Sequence, residues 1–363
     1  MQGLRILIIK TSSLGDVIHT LPALTDAAAA IPGLTADWVV EEAFAEIPSW
    51  HPAVENVIPV AVRRWRRNWW QALNSGELAA FRRQLRVHEY DLVIDAQGLV
   101  KSAIMTTMAR GPKAGLDRDS IKEPLASRFY NQTVAVPRAE HAVQRVRQLF
   151  AAILSYVYDP QRIDYGLENS AALAVATDRE QPLLMFLHGT TWVSKHWPEA
   201  YWRELAHMAA DAGYGIRLPW GNLVEQERAQ RIAEGIPSAQ VLDRLTLAGL
   251  AGVMRQCQGV LAVDTGLGHL SAALNRPTVS IYGATNPFLS GTFGYHQLQL
   301  KGSLPCSPCM RRQCEYQGEP LFDQTREQPM LNVEPACYRA SAPAEVFVHL
   351  QRLIGQSRQR IDL

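Results

Sequence analysis

The sequence lacks any apolar run long enough to cross a membrane. A spanning helix needs about 18 or more consecutive apolar residues, and no stretch of this chain reaches that length. The apolar segment from residue 4 to residue 9 is short and is interrupted by Arg5, so it predicts a first β-strand and not a secretory signal. From these two absences we expect a cytoplasmic protein.

Cysteine and net charge are low as well. The 363 residues include five cysteines, which in a cytoplasmic protein are expected to be reduced thiols or metal ligands rather than disulfides. The formal net charge of +1 at pH 7 argues against a general nucleic-acid binder, so no nucleic-acid partner is expected. With 47% apolar and 20% charged residues, the composition is that of a globular protein, and the length is sufficient for two hydrophobic cores.

The dinucleotide-binding fingerprint G-x-G-x-x-G is also missing. The first predicted strand, residues 5–9, runs into the turn KTSSLGD at residues 10–16, which contains a single glycine. The fingerprint glycines let the backbone approach the pyrophosphate of a dinucleotide. Their absence weighs against an enzyme that uses a nicotinamide cofactor.

A strand, a turn and a helix at residues 259–270 form the most informative stretch. Residues 260–263 predict a buried strand, which is followed by a glycine-containing turn and then a helical pattern. Such a turn directs free backbone N–H groups and the positive end of a helix dipole to one point, which suits a phosphate. The residues predicted to bind the diphosphate end of a nucleotide are Asp264, Thr265, Gly266 and His269.

Segments typical of strands alternate with amphipathic helical segments along most of the chain. Further strands are predicted at residues 37–40, 57–60, 92–94, 133–136, 183–187, 215–218, 240–242 and 278–282. This alternation predicts right-handed βαβ units and mainly parallel sheets. Residues 159–181 are mostly polar and lack the pattern, so we place a linker there.

The predicted fold class is α/β, with two Rossmann-like domains facing a central cleft. Ligands of open α/β sheets bind beyond the carboxyl ends of the strands, which is where the polar turns lie. The predicted boundaries are 1–165 for the N-terminal domain, 182–345 for the C-terminal domain, and 346–363 for a terminal helix and tail.

Three side chains in these turns could carry chemistry. Asp16, at a helix start, could act as a general base on a hydroxyl, or could simply interact with the helix dipole. Lys195 could stabilise the charge on a diphosphate leaving group, or could be a solvated surface lysine. Glu225 could accept hydrogen bonds from a ribose, or could be an ordinary first-turn carboxylate. The residues predicted to add hydroxyl donors for an anionic ligand are Ser12, Ser13, Thr190 and Thr191.

Residues 63–70 read RRWRRNWW and form the most concentrated charge feature of the chain. Cations mixed with indole rings suit an anionic amphiphile at a membrane surface, because the rings favour the headgroup level. The alternative is a solvated basic helix. The side chains concerned are Arg63, Arg64, Arg66 and Arg67, together with Trp65, Trp69 and Trp70.

Four of the five cysteines follow residue 300. Cys306, Cys309 and Cys314 have the spacing C-x2-C-x4-C, which is typical of a metal knuckle. Cys337 is the only candidate for a fourth ligand, and it is remote in the sequence. A structural zinc is one possibility, but we expect no stoichiometric metal.

Five segments together resemble the ADP-heptose:lipopolysaccharide heptosyltransferase family. They are KTSSLGDVIHTLPAL at residues 10–24, RRWRR at 63–67, DAQGL at 95–99, KHWP at 195–198 and DTGLGHL at 264–270. The resemblance covers residue 4 to about residue 290. It implies two Rossmann-like domains in the GT-B arrangement, with the acceptor bound by the N-terminal domain and ADP-heptose by the C-terminal one.

The resemblance also implies roles for individual residues. Asp16 matches the family's catalytic base, Lys195 the lysine that contacts the donor phosphates, and Glu225 the glutamate that binds the ribose. The other positions that match the donor site are Ser12, Ser13, Thr190, Thr191, Asp264, Thr265, Gly266 and His269. The positions that match the acceptor site are Arg63, Arg64, Arg66, Arg67 and Gln97.

The implied reaction is the transfer of L-glycero-D-manno-heptose from ADP-heptose to the first Kdo of Kdo2-lipid A, with inversion. No cofactor and no metal are expected, since Lys195 and backbone N–H groups would stabilise the departing diphosphate. Such an enzyme would be cytoplasmic and peripheral to the inner membrane, on its cytoplasmic face. The alternatives are a type II-like transfer to the first heptose, a sugar-nucleotide epimerase of the same fold, and a non-enzymatic nucleotide-binding module.

Overall fold

The computed structural model describes residues 3–168, 170, 173, 181–322 and 332–361, without the side chains of residues 69, 71, 73, 360 and 361. The chain forms two compact units, Met1–Leu173 and Ala174–Leu363. Their junction falls inside the segment predicted as the linker, and part of that segment lies outside the described residues. Within the ranges just given, no helix is both long enough and apolar enough to cross a membrane.

The first unit contains six parallel strands. They are β1 (Arg5–Ile9), β2 (Thr35–Glu41), β3 (Val54–Val60), β4 (Leu92–Asp95), β5 (Lys113–Leu116) and β6 (Gln132–Val134). Their order across the sheet is β3-β2-β1-β4-β5-β6. The helices of this unit are α1 (Leu14–Ile18), α2 (Leu21–Ala30), α3 (Glu46–Ser49), α4 (Val62–Arg67), α5 (Trp69–Asn74), α6 (Glu77–Gln84), α7 (Val100–Met108) and α8 (Ala142–Leu154).

The central strand β1 explains where the first site forms. Residues 6–9 are fully buried, as expected for a parallel strand that is covered on both faces. β1 pairs with β2 on one side and with β4 on the other, so the strand order changes direction at this point. Ligands of such sheets bind at the carboxyl ends of the strands where the order reverses. The turns after β1 and β4 therefore lie side by side, with Ile9 paired to Asp95.

The second unit repeats this architecture. Its strands are β7 (Leu183–Leu187), β8 (Gly215–Leu218), β9 (Ala239–Val241), β10 (Gly259–Val263), β11 (Thr278–Tyr282) and β12 (Gln297–Lys301). Their order is β12-β11-β10-β7-β8-β9, so the reversal lies between β7 and β10. The helices are α9 (Glu199–Asp211), α10 (Leu223–Ala233), α11 (Leu247–Gln256), α12 (Gly266–Ala273), α13 (Pro287–Ser290) and α14 (Pro343–Ile361). The two parallel sheets confirm the predicted α/β class.

The C-terminal helix α14 packs on the second unit. Val346, Phe347, Leu350 and Ile354 belong to the core of that unit. The helix also approaches β10 at Gly259, where an added Cβ would lie 2.7 Å from Ile354 Cδ1. The sequence did not indicate which domain this helix covers, because an amphipathic face can match any apolar partner. The packing decides it, and a Cβ at the start of β10 would force the end of the Ile354 side chain to shift.

Two strands were missed by the sequence analysis. β5 contains a lysine and a glycine within its four residues, and β12 alternates glutamine with leucine. Neither segment has the continuous apolar run that predicts a buried strand. Both form because a neighbouring strand supplies the hydrogen-bonding partners, β4 for β5 and β11 for β12.

Candidate active site

Asp95 organises the turn after β4 in the first unit. Its Oδ1 accepts hydrogen bonds from the backbone N–H groups of Gln97 (2.8 Å) and Gly98 (3.0 Å). Its Oδ2 accepts from Ser102 Oγ at 2.8 Å and from the Tyr130 hydroxyl at 2.7 Å. Burial raises the pKa of the Asp95 carboxyl above its usual range, although the four donors oppose that shift. These contacts give Asp95 a structural role.

Gln97 joins this turn to the turn after β1. Its Oε1 accepts hydrogen bonds from the backbone N–H groups of Thr11 (3.0 Å) and Ser12 (3.1 Å). Gln97 thereby holds the segment that leads to Asp16, a role that the sequence did not predict. The sequence also predicted that Gln97 contacts the acceptor. Because its Oε1 already accepts two hydrogen bonds, such a contact would use its side-chain nitrogen Nε2.

Asp16 lies in the first turn of α1, after the N-cap residue Ser13. Its Oδ2 accepts hydrogen bonds from the Ser13 backbone N–H at 2.7 Å and from Ser13 Oγ at 2.8 Å. Both bonds end on one oxygen, and no residue in the described ranges donates to Oδ1. The helix-start role of Asp16 is therefore observed: the Ser13 bonds orient the carboxylate through Oδ2, and the general-base role stays a prediction.

Glu77 ties part of the basic segment to the first unit. Arg64 donates to both oxygens of its carboxylate, at 2.9 and 2.8 Å, and Trp65 Nε1 donates to Oε2 at 2.7 Å. The Trp65 ring packs edge-on against Phe81, with ring centroids 5.8 Å apart. Trp65 is thus a packing residue of the first core rather than a free ring. Arg64 stays exposed, but its charge is already compensated.

The other arginines of the segment are exposed and less constrained. Arg63, Arg66 and Arg67 all lie at the surface on α4. Among the residues that the structure describes, Arg66 and Arg67 have no carboxylate partner. Trp70 is 62% exposed, while the Trp69 side chain lies outside the described part. Exposed cations beside an exposed indole are the chemistry that an anionic amphiphile would need.

Asp264 gathers three side chains at the carboxyl edge of the second sheet. Its Oδ2 lies 2.7 Å from Lys195 Nζ and accepts a hydrogen bond from Thr285 Oγ1 at 2.5 Å. Its backbone carbonyl accepts from Thr190 Oγ1 at 2.8 Å. The side chains of Lys195 and Asp264 are only 15% and 13% exposed, so solvent screens this ion pair weakly. The cluster forms because β7, β10 and β11 are neighbours in the sheet.

The helix α12 begins at Gly266, directly after this cluster, with Thr265 as its N-cap. The first N–H groups of an α-helix have no partner within the helix, and the positive end of its dipole attracts anions. His269 is 7% exposed and already takes part in a contact within the chain. Its predicted contact with a phosphate stays a prediction. Thr191, also predicted to bind the donor, is exposed in the loop after β7.

Glu225 is held near the carboxyl ends of β7 and β8. Its Oε2 accepts a hydrogen bond from the Gly221 N–H at 2.7 Å, and its own N–H donates to Oδ1 of the N-cap residue Asn222 at 3.0 Å. At Gly189 an added Cβ would lie 2.8 Å from the carboxyl carbon of Glu225. Glycine there lets the loop after β7 approach the carboxylate. The helix-start role of Glu225 is thus observed, and its ribose contact stays a prediction.

The four cysteines after residue 300 come together. Cys306, Cys309, Cys314 and Cys337 line one small cavity of about 20 Å³. Burial, with a smaller contribution from the three neighbouring thiols, raises the pKa of the Cys337 thiol to about 12. Metal ions bind the thiolate form, so a metal at this cavity would have to displace the Cys337 proton. In the described part of the chain, no group of three or more His, Cys, Asp or Glu residues could hold a metal ion.

Sequence reasoning missed three contributors to these sites. The turn at residues 283–287 was predicted to lie at the same sheet edge, but Thr285, which donates a hydrogen bond to Asp264, was not singled out within it. Lys10 is 7% exposed and donates a hydrogen bond to the Ala96 carbonyl at 2.8 Å. Its position directly after the central strand was the signal that could have identified it. Trp192 places its ring centroid 4.4 Å from Lys195 Nζ, and the sequence carried no signal for that contact.

Comparison with known proteins gives a consistent relationship. The family model described as glycosyltransferase family 9 (heptosyltransferase) matches residues 78–319. Lipopolysaccharide heptosyltransferase 1 of Pseudomonas aeruginosa is 54% identical over 97% of this chain and 98% of its own length. The enzyme of the same name from Escherichia coli K12 is 52% identical over 81% of this chain and 92% of its own length. Lipopolysaccharide heptosyltransferase 2 of E. coli K12 is 24% identical over 78% of this chain.

The solved structures agree with this relationship. The structure of the E. coli heptosyltransferase WaaC with ADP has a TM-score of 0.79 at 51% identity, covering 83% of this chain and 94% of its own. The P. aeruginosa relative aligns over almost the whole chain, so a type 1 enzyme can carry a segment of this length after residue 300. With a family match over most of its length and relatives above 50% identity, the chain belongs to glycosyltransferase family 9 and is a heptosyltransferase.

Proposed function

We propose that this heptosyltransferase of lipopolysaccharide inner-core synthesis moves L-glycero-D-manno-heptose from ADP-heptose to the first Kdo of Kdo2-lipid A. The observation that carries the donor assignment is the cluster of Lys195, Asp264 and Thr190 beside the start of α12. The WaaC relative was solved with ADP, which supports the same class of donor. The higher identity to type 1 than to type 2 enzymes supports Kdo rather than heptose as the acceptor sugar.

The proposed donor complex uses the positively charged groups at the carboxyl edge of the second sheet. The diphosphate binds where the Lys195 ammonium and the first N–H groups of α12 lie together, because both attract negative charge. Two contacts hold the Lys195 side chain in place: an ion pair with Asp264 and a cation–π contact with the ring of Trp192. Glu225 accepts hydrogen bonds from the ribose hydroxyls.

The proposed chemistry is a single inverting displacement. The free oxygen of Asp16 takes the proton of the Kdo hydroxyl, and that hydroxyl oxygen forms a bond to the anomeric carbon of the heptose. The bond between this carbon and the ADP oxygen breaks from the opposite face, through a transition state with oxocarbenium character. Negative charge then builds on the departing diphosphate, which Lys195 stabilises more strongly in the transition state than in the ground state.

Acceptor-dependent ADP release is the experiment that tests this function. The protein is incubated with ADP-heptose alone, with Kdo2-lipid A, and with the same acceptor already carrying one heptose. We expect ADP release only with acceptor, and faster with unmodified Kdo2-lipid A. Preference for the heptosylated acceptor would indicate type II-like transfer, and conversion of ADP-heptose without acceptor would indicate an epimerase. Donor binding without turnover would indicate a binding module.

The basic segment on α4 is proposed to bind the anionic head of the acceptor. Replacing Arg63 and Arg66 together by alanine should raise the acceptor KM roughly tenfold, because two exposed cations each contribute modestly to anion binding. The donor KM should hardly change, because the donor site belongs to the second unit. Steady-state kinetics with each substrate varied in turn, at low and at high salt, measure both KM values. The difference in acceptor KM between the variant and the wild type should shrink at high salt, because salt screens the charges.

The matched control for this double variant is the replacement of Arg82 and Arg83 by alanine. These two arginines are also exposed and also lie on a helix of the first unit, α6. Their loss removes the same net charge but should leave the acceptor KM near the wild-type value. Loss of ADP-heptose binding with an unchanged acceptor KM in the Arg63 and Arg66 variant would place the acceptor elsewhere.

We also propose that neither the reaction nor the fold needs a metal or another cofactor. Lys195 and the α12 N–H groups offer positive charge for the diphosphate, and among the described residues no group of three or more His, Cys, Asp or Glu could hold a metal ion. Purified protein should therefore contain no stoichiometric metal, and a chelator should change neither its melting temperature nor its transfer rate. Elemental analysis that finds about one equivalent of zinc, lost on chelation together with thermal stability, would contradict this proposal.

The proposed place of action is the cytoplasmic face of the inner membrane, to which the enzyme binds as a peripheral protein. The exposed cations Arg63, Arg66 and Arg67 and the exposed Trp70 ring support it, since anionic headgroups attract the former and the interface favours the latter. Flotation with anionic lipid vesicles checks this, and binding that does not weaken at high salt would speak against it.

A further inference from the structure

Two cations lie over one indole ring in the second unit. The Lys195 ammonium is 4.4 Å from the ring centroid of Trp192, and the guanidinium carbon of Arg312 is 5.8 Å from the same centroid. Both distances are within the range of an attractive cation–π contact. Because both distances are measured to the same centroid, their sum is the upper limit of the distance between Lys195 Nζ and the guanidinium carbon of Arg312. Arg312 stands beside the lysine that the proposed function assigns to the donor diphosphate.

The backbone around Arg312 is attached to the loops that form the donor site. The Ser194 N–H donates to the Arg312 carbonyl at 3.1 Å, and Ser194 Oγ donates to the Arg311 carbonyl at 2.5 Å. The Met310 N–H donates to the carbonyl of Ala284, in the loop after β11, at 2.7 Å. Three consecutive residues are thus bound to the loops that carry Lys195 and Thr285. This backbone attachment keeps Arg312 near the site and adds to the contact of its guanidinium with the Trp192 ring.

The charges of the two neighbouring arginines are balanced differently. Arg311 forms an ion pair with Glu315, four residues later in the sequence. For Arg312, no carboxylate of the described residues lies within ion-pair distance. Lys195 already has Asp264 as its counter-ion. Arg312 is therefore an exposed cation on the same ring as Lys195, and no carboxylate among the described residues balances its charge.

We infer that Arg312 is a second cation for the diphosphate of the nucleotide donor and that Trp192 positions it beside Lys195. The inference rests on the proposed function and extends it to a residue that no sequence motif indicated. A diphosphate carries charge on both phosphates, and a lysine that is already paired with a carboxylate balances only part of it. A guanidinium can donate two parallel hydrogen bonds to a phosphate, which a lysine cannot.

Calorimetric titration of the full chain with ADP tests this inference. Arg312→Gln should raise the Kd for ADP roughly fivefold at low salt, as expected for the loss of one exposed charge-assisted contact. The difference should shrink at high salt because exposed charges are screened. Arg311→Gln is the matched control, since it removes an adjacent exposed arginine whose charge is already paired. Adenosine, which lacks the diphosphate, should bind the Arg312 variant and the wild type equally.

The outcomes separate this inference from the function on which it rests. An unchanged Kd for ADP in Arg312→Gln, when Lys195→Ala does weaken ADP binding, overturns the role of Arg312 alone. If Lys195→Ala also leaves the Kd unchanged, the diphosphate site itself has been misplaced and both conclusions fail. If Arg311→Gln and Arg312→Gln lost the same affinity for ADP, or if Arg312→Gln lost as much affinity for adenosine as for ADP, the effect would be general. Either result would also overturn the role of Arg312.

Discussion

Replacing Asp16 by asparagine is expected to lower the rate of heptosyl transfer by at least about 100-fold, because a general base typically contributes that much or more. The amide has nearly the same shape but cannot take the proton of the acceptor hydroxyl. Its oxygen can still accept the hydrogen bonds that Ser13 donates, so α1 should keep its start. The affinity for ADP-heptose should therefore hardly change. Single-turnover kinetics at saturating substrates, with calorimetric titration of the donor, measure the two effects separately.

The control for this variant is Asp119→Asn. Asp119 is an exposed carboxylate of the same unit, outside the two turns of the site, so its replacement removes the same charge without removing a base. Its transfer rate should equal that of the wild type. An Asp16→Asn enzyme that kept more than about a tenth of the rate would rule out the general-base role, since that residual activity is far above what loss of a base permits.

Replacing Lys195 by alanine should weaken ADP-heptose binding and slow transfer together. The diphosphate is charged in the ground state and gains charge in the transition state, so kcat/KM should fall by about 100-fold or more. The structure adds a second cause. Without Lys195, the Asp264 carboxylate loses its counter-ion and would face the diphosphate as a like charge in a site that is largely shielded from solvent. Steady-state kinetics and donor titration measure both losses.

A double variant separates the two causes. Lys195→Ala combined with Asp264→Asn removes the uncompensated carboxylate, so it should bind ADP more tightly than Lys195→Ala alone. Lys301→Ala is the control, because Lys301 is also a lysine over an aromatic ring, that of Phe288 at 3.2 Å, but is exposed at the end of β12. Its kinetics should be unchanged. Wild-type kinetics in Lys195→Ala would mean that Lys195 is only a surface lysine.

The boundaries of the main strands could be predicted because the signals for them are local. β1, β7, β8 and β11 begin and end at the predicted residues. β1 and β7 are short, mainly apolar runs, β11 is rich in β-branched and aromatic residues, and all four strands lie between polar or glycine-containing turns, so neighbouring residues suffice to recognise them. The family could be recognised for a similar reason, since the motifs that carry the resemblance are contiguous. The turns that hold Asp16, Lys195 and Asp264 follow directly from this pattern.

Which side chains meet was decided only by the tertiary structure. Lys195 and Thr285 share the carboxylate of Asp264 because β7, β10 and β11 are adjacent in the sheet, although the three residues are far apart in the chain. Gln97 holds the turn before Asp16 for the same reason, since β4 pairs with β1. Strand order depends on the free energy of long-range pairing and burial, which the periodicity of a single sequence does not record. The sequence therefore determined the family, the class of fold and the turns that bear the chemistry, while packing determined which of those residues act as partners.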